Sequence, residues 1–276
     1  MAGGADGQVA GGCRVGAVCD RSAVTPSPNR PPRPPARRAP RARRGHGPRG
    51  GRHLGWAWLV LVVAVALGAG VPAWSQAQDA GRFPVTQQDL ERARAELDAL
   101  PVKGRAPRTG YDRDRFGPAW ADVDRNGCDT RNDVLARDLT DVAFEPGTHD
   151  CVVLSGTLTD PYSGATVAFE RGPRSADVQI DHVVALSDAW QKGAQQWDPE
   201  RRRQFANDPA NLLAVDGPTN GAKGDGDAAT WLPPSTGYRC AYVARQVRVK
   251  AAYGLWVTRA EHDAIDRTLD GCAVAD

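Results

Sequence analysis

An aspartate and a histidine stand side by side at the end of a short apolar run, as Asp181 and His182 in QIDHVVALSDAW. Downstream, Asn211 heads a second apolar run, NLLAV, and Asn220 and Lys223 follow within DGPTNGAKGDGD. An imidazole titrates near neutrality and suits removal of a proton from water. A carboxylate and an amide oxygen are hard donors that favour Mg²⁺ or Mn²⁺ over Zn²⁺, with water and phosphate oxygens completing the shell. Hydrolysis of a phosphodiester asks for this set: a base, a cation on the phosphate and leaving oxygen, and further positive charge for the transition state. An Asp-His pair alone is more often a satisfied core histidine. The ordered appearance of Asn211, Asn220 and Lys223 moves the reading to catalysis, with Asp181 and Asn220 as metal ligands, His182 as base and Lys223 on phosphate.

The elements that must position these groups follow from pattern. DVQID reads as a short strand ending at His182 and NLLAV as the next strand, while Asn220 and Lys223 share a face if a helical turn begins there. Ser187 is a cap for a helix from 188 to about 195, and Asp198-Pro199 opens another over PERRRQFAN. CVVLSGTLTDPYSGATVAFERG reads as two strands around a DPYSG turn. Thr86 caps a helix with Leu90, Ala93 and Leu97 on one face. RNDVLARDL is a short helix, and two helices close the chain, at about 240–252 and 259–269, the second opened by the capping box Thr258 to Glu261.

Strand with Asp-His, strand with Asn, helix with Asn and Lys is the order found in HNH endonucleases, and the sequence resembles that family at DVQIDHVVALS and NLLAVDGPTNGAKGD. The blocks YDRDRFGPAWADVDRNGCDTRNDVLARDL, GAQQW, RRRQFANDPANLL and WLPP extend the likeness, over about residues 108–272, to exported actinobacterial HNH-family proteins and the C-terminal nuclease domain of GmrSD-type restriction enzymes. The resemblance implies an α+β chain with a ββα-metal core and added helices. It implies a metal-dependent endonuclease acting on DNA, with RNA as a second substrate class, leaving a 5′-phosphate and a 3′-hydroxyl. Asn211 is then structural, fixing the loop and the His182 ring. Many relatives carry histidine where this chain has Asn220; the asparagine form shifts the metal toward Mg²⁺ or Mn²⁺ and leaves the reaction unchanged.

Composition divides the chain into four parts. Residues 1–55 form an Arg/Pro-rich tail too poor in large apolar groups to fold. Residues 56–77 are an apolar stretch that ends in Ser75-Gln76-Ala77 and reads as the core of a signal peptide, a membrane anchor being the rival. A helix and linker occupy 78–107, and the nuclease domain 108–276. Of 35 basic and 33 acidic residues, eleven and two fall in the first 77, which leaves 24 against 31 and a net charge of −7. An acidic domain grips nucleic acid only through a local basic groove. Lysine is scarce there, at Lys103, Lys192, Lys223 and Lys250. Four cysteines without a zinc-like spacing suit two disulfides in a secreted protein, and Cys128–Cys151 with Cys240–Cys272 is the preferred pairing because each brackets a local unit.

Other polar groups compete for roles. DVDRNGCDTRND, Asp122 to Asp133, approaches a calcium loop, but Asp129 stands where such loops want an apolar residue and the last ligand is Asp. It reads better as a turn beside the site than as a Ca²⁺ site, with Arg131 as a phosphate contact; a calcium-stabilised, non-catalytic surface module is the alternative function. Among Arg201 to Arg203, Arg202 is the residue that would line a nucleic-acid groove, against a solvated helix face. His149 and His262 read as solvated, and Trp190, Trp197 and Trp231 as core.

Overall fold

The structure, a computed structural model, describes residues 82–274. The tail of residues 1–55 and the apolar segment 56–77 lie outside the described residues. Among those described, no helix is long and apolar enough to cross a membrane.

The architecture is α+β. Helix α1 (Gln87–Ala99) is opened by a reciprocal capping box between Thr86 and Asp89 and buries Leu90, Ala93 and Leu97. A 3₁₀ turn, Arg113–Phe116, precedes α2 (Thr130–Asp138). Strands β1 (Leu139–Phe144), β2 (Val153–Thr159) and β3 (Thr166–Glu170) form one antiparallel sheet in that order, so the DPYSG segment does join a hairpin. Strand β1 was not expected from sequence. It is half-exposed, and its register slips between Thr140 and Ala143, where Asp141 takes a positive φ of 52°.

Strands β4 (Val178–His182) and β5 (Leu212–Asp216) form a second, two-stranded antiparallel sheet, with His182 opposite Leu212 and Val178 opposite Asp216. Between them lie α3 (Leu186–Gln191) and α4 (Pro199–Asn207). Helix α5 (Gly217–Lys223) follows β5 directly and packs on both strands, an arrangement compatible with a ββα core. Helices α6 (Arg239–Tyr253) and α7 (Arg259–Asp270) complete the chain, α7 with the Thr258–Glu261 capping box read from sequence. Both disulfides, Cys128–Cys151 and Cys240–Cys272, are present.

The apolar run of β5 is continuous because both faces of the β4–β5 pair are covered. Leu213 and Val215 join Val183 in a core shared with α1, α6 and α7, whereas Leu212 and Ala214 join Val178 and Ile180 against α2 and the three-stranded sheet. A third cluster, Phe116, Trp190 and Phe205, seats the 3₁₀ turn on α4. Trp197 and Trp231 pack at cluster margins, as a core role requires.

Candidate active site

Side chains alternate along a strand, so Asp181 and Gln179 face α5 while His182, at the strand's last position, turns the other way toward the end of α4. Helix α5 is held against this edge by its own chemistry. Asp216 caps it by accepting from the Thr219 backbone at 2.9 Å and hydroxyl at 2.6 Å. Gly217 donates its N–H to Asp177 O at 3.0 Å, and a Cβ there would come within 2.5 Å of the Ala176 carbonyl, so only glycine permits the approach. The segment DGPTNGAKGDGD is therefore helix from its second residue to Lys223.

Asp181 is buried. The Tyr162 hydroxyl donates to one of its oxygens at 2.5 Å and the Lys223 ammonium to the other at 2.9 Å, Lys223 also reaching His182 O at 2.9 Å. Lys223 is 3% exposed and its donors point inward, which corrects the expectation of a phosphate contact: it neutralises Asp181 from beneath. Asn220, three residues earlier, faces the opening. Its Nδ2 donates to Gln179 Oε1 at 2.9 Å, which leaves the amide oxygen free to act as a donor atom.

The His182 ring bonds the Ala206 carbonyl through Nε2 at 2.8 Å. A carbonyl only accepts, so Nε2 carries the proton and Nδ1 holds the lone pair. Burial is the chief reason that the ring's pKa falls to about 4; the Ala206 bond and Asp181 oppose the shift, while Arg113 and Lys223 add to it. Asn211 is fully buried and does not touch the ring. Its Oδ1 accepts from Val184 N at 2.8 Å and its Nδ2 donates to Val184 O at 3.2 Å, locking the chain just past the histidine.

Asp181, His182 and Asn220 thus line one pocket of about 400 Å³, together with Gln179, Arg108, Tyr111 and Arg113. A smaller hollow of about 80 Å³ lies on the other side of His182. Among the described residues no three His, Cys, Asp or Glu side chains converge as a metal site. An ion in the pocket would therefore rest on two protein oxygens, those of Asp181 and Asn220. That donor set fits Mg²⁺, which keeps most of its water and takes the rest from phosphate.

Residues 129–267 match the family described as GmrSD restriction endonucleases, C-terminal domain. The chain belongs to this family. A protein of Arthroderma benhamiae named "Uncharacterized secreted protein" is 41% identical over 182 residues, which cover 65% of this chain and 84% of that protein. No solved structure matches the chain. The resemblance to a GmrSD-type nuclease domain, read from the blocks around the motif, is therefore confirmed.

Three further expectations for this GmrSD-type domain are corrected. Arg131 is half-buried and donates to Ser175 O and Val178 O, both at 3.2 Å, tying α2 to the start of β4 rather than facing a phosphate. Arg202 is buried, with Nε on Arg115 O at 2.9 Å and a terminal nitrogen on Trp197 O, so it binds backbone and lines neither hollow. Ser187 does not cap α3; its hydroxyl donates to Asp225 at 3.0 Å and Ala185 stands at the cap position. His149 is exposed as expected, while His262 is half-buried.

The loop from Asp122 to Asp133 lines neither hollow. Asn126 fills its centre, donating to Asp122, Asp124 and Asp133, and Asp129 is occupied in capping α2 through Asn132 N. Residues that sequence reasoning missed are Tyr162, Gln179, Arg108 and Arg113. Gln179 was recoverable, being two positions before Asp181 and hence on its face of the strand. Tyr162 was not, since nothing in DPYSG announces a partner on another sheet.

A separate polar cluster lies deeper. Lys192 contacts Asp188, Asp227 and Glu261 at 2.6, 2.7 and 2.6 Å, and Lys250 contacts Asp188 and Glu261, both at 2.9 Å. Arg105 joins Asp188 at 3.1 Å and Asp227 at 2.6 Å. Three cations face three carboxylates, and the three N–H donors of Lys192 are matched one to each acid. Burial pushes the Asp227 carboxyl up, but Lys192, Arg105 and Lys250 outweigh it and hold it at about 2.

Proposed function

We propose that this chain is an exported, metal-dependent endonuclease that hydrolyses phosphodiester bonds in DNA, with RNA as a second substrate class. The observation that carries the reading is the neutral His182 ring, its Nε2 on the Ala206 carbonyl and its Nδ1 without a hydrogen-bond partner, in one pocket with Asp181 and Asn220. Family membership supports a nuclease and hence a nucleic-acid substrate. The name of the fungal relative and the two disulfides support export.

His182 takes a proton from water at Nδ1, and the Ala206 carbonyl steadies the imidazolium that results, since Nε2–H keeps its partner throughout. Asp181 and Asn220 are the residues that would hold Mg²⁺ or Mn²⁺, and the ion would supply positive charge to the scissile phosphate and the leaving oxygen. Lys223 and Tyr162 fix the Asp181 carboxylate in one orientation and offset the cost of burying it. Gln179 orients the Asn220 amide, and Asn211 fixes the backbone that carries His182 out of its strand. A phosphate entering the pocket brings negative charge toward the imidazole and raises its affinity for the proton. The products are a 5′-phosphate and a 3′-hydroxyl.

Incubation of the oxidised protein with plasmid, single-stranded DNA and RNA across a series of Mg²⁺, Mn²⁺, Ca²⁺ and Zn²⁺ tests the proposal. Cleavage with Mg²⁺ or Mn²⁺, abolished by His182→Ala and unchanged by His149→Ala, is the expected result. Absence of cleavage with every metal, together with Ca²⁺ binding lost in Asp124→Ala, would instead favour the calcium-stabilised, non-catalytic module.

A further inference from the structure

Arg113 lies before the stretch matched by the family and stands at the place where the two hollows flanking His182 meet: it lines both, as His182 does. It is exposed, and among the described residues it makes no ion pair or side-chain hydrogen bond. The neighbouring Arg108 is engaged instead, lying over the Tyr111 ring at 5.1 Å and 3.6 Å from Asp225.

The turn that carries Arg113 is built to stay in place. Asp112 caps it by accepting from Asp114 N at 3.0 Å, Phe116 is buried against Trp190 and Phe205, and Arg202 donates to Arg115 O. Gly117 ends it at a φ of +81°, where a Cβ would come within 3.2 Å of the Arg203 side chain. A mobile surface arginine needs none of these restraints, whereas a guanidinium that must meet an anion at a fixed point does.

We propose that Arg113 is a catalytic residue that donates to the non-bridging oxygens of the scissile phosphate, a role that rests on the endonuclease reading above. With Lys223 turned inward and Arg131 and Arg202 bound to backbone, Arg113 is the cation placed to answer the charge that builds on phosphorus during attack by the water His182 activates. The guanidinium fork suits two phosphate oxygens, and it acts without changing its own protonation state.

The test uses the full chain and a labelled DNA duplex, comparing Arg113→Ala with Arg115→Ala. The second variant removes the same charge from the same turn, at a side chain that faces Trp190 at 5.9 Å. Cleavage is measured with Mg²⁺, and binding is measured by anisotropy in EDTA across a salt series. Arg113→Ala lowers kcat/KM about 100-fold, with its melting temperature unchanged, and reduces the slope of log affinity against log salt by about 0.9; Arg115→Ala stays within about twofold of the parent in rate. A rate loss without a slope change also supports the proposal, as a contact made in the transition state. Equal rates for the two variants overturn it, and so does a slope change without rate loss, which puts Arg113 on a neighbouring phosphate. A parent that cuts no nucleic acid overturns the endonuclease reading and this proposal together.

Discussion

Buried lysines sit against aspartates in two places, Asp181 and Asp188, and they do different work. At the pocket, Lys223 and Tyr162 brace Asp181 from below, while Asp181, His182 and Asn220 together line about 400 Å³ of open space. In the deeper cluster, Lys192 and Lys250 meet Asp188, Asp227 and Glu261 with no such opening, and charge balances within the group. Buried charge alone therefore does not set the pocket apart. What sets it apart is that His182 Nδ1 and the Asn220 amide oxygen have no hydrogen-bond partner, on residues that line an open hollow. The cluster supplies that frame, joining α3, α6, α7 and the 105 and 227 loops next to the site.

The sharpest separation comes from one substitution in each region. His182→Ala lowers kcat/KM by about 10³-fold or more and leaves the chain folded. Lys192→Met lowers unfolding free energy in urea by about 3–5 kcal/mol, because it leaves three carboxylates facing two cations. An inactive but fully stable Lys192→Met would break the distinction. Lys223→Met bridges the two regions: it destabilises by about 3 kcal/mol without metal, and Mg²⁺ restores part of that loss by taking over the charge that faces Asp181.

Acid separates the regions with a smaller effect. Asp227 is held at about 2, below its usual 3.8, so its ion pairs contribute fully above about pH 4 and are lost as pH falls through 2; Asp227→Asn removes this limb from a plot of stability against pH. His182 must be unprotonated to act, and its pKa is lowered to about 4. Activity therefore declines as pH falls, with the acid limb of kcat/KM near pH 4 and that of kcat at higher pH, where bound phosphate has raised the ring's pKa.

Much of the frame was legible because it is written locally. The Thr86 and Thr258 caps, the β4 and β5 runs and the brackets formed by the cysteine pairs each depend on residues close in sequence. The motif order singled out Asp181, His182 and Asn220, which line one pocket. The failures concern burial. Lys223, Arg131 and Arg202 were read as phosphate contacts because sequence reports a charge and not the direction in which it points. The six-membered ion cluster draws on Arg105, Asp188, Lys192, Asp227, Lys250 and Glu261, which share no period and no motif. One signal was available: in a region with twenty arginines and four lysines, three of the four lysines lie inside, where a compact ammonium with three donors fits among carboxylates better than a planar fork. Strand β1 escaped notice because LTDVAF is broken by a bulge and has little apolar alternation.

The central claim is that Asp181 and Asn220 hold one cation next to the His182 base. Titration of the full chain with Mn²⁺, followed by electron paramagnetic resonance, tests it directly. The account predicts one bound ion per chain that persists in His182→Ala and in Asp124→Ala and is lost in Asp181→Ala and in Asn220→Ala. An ion that survives both ligand substitutions, or that disappears with Asp124, would contradict it.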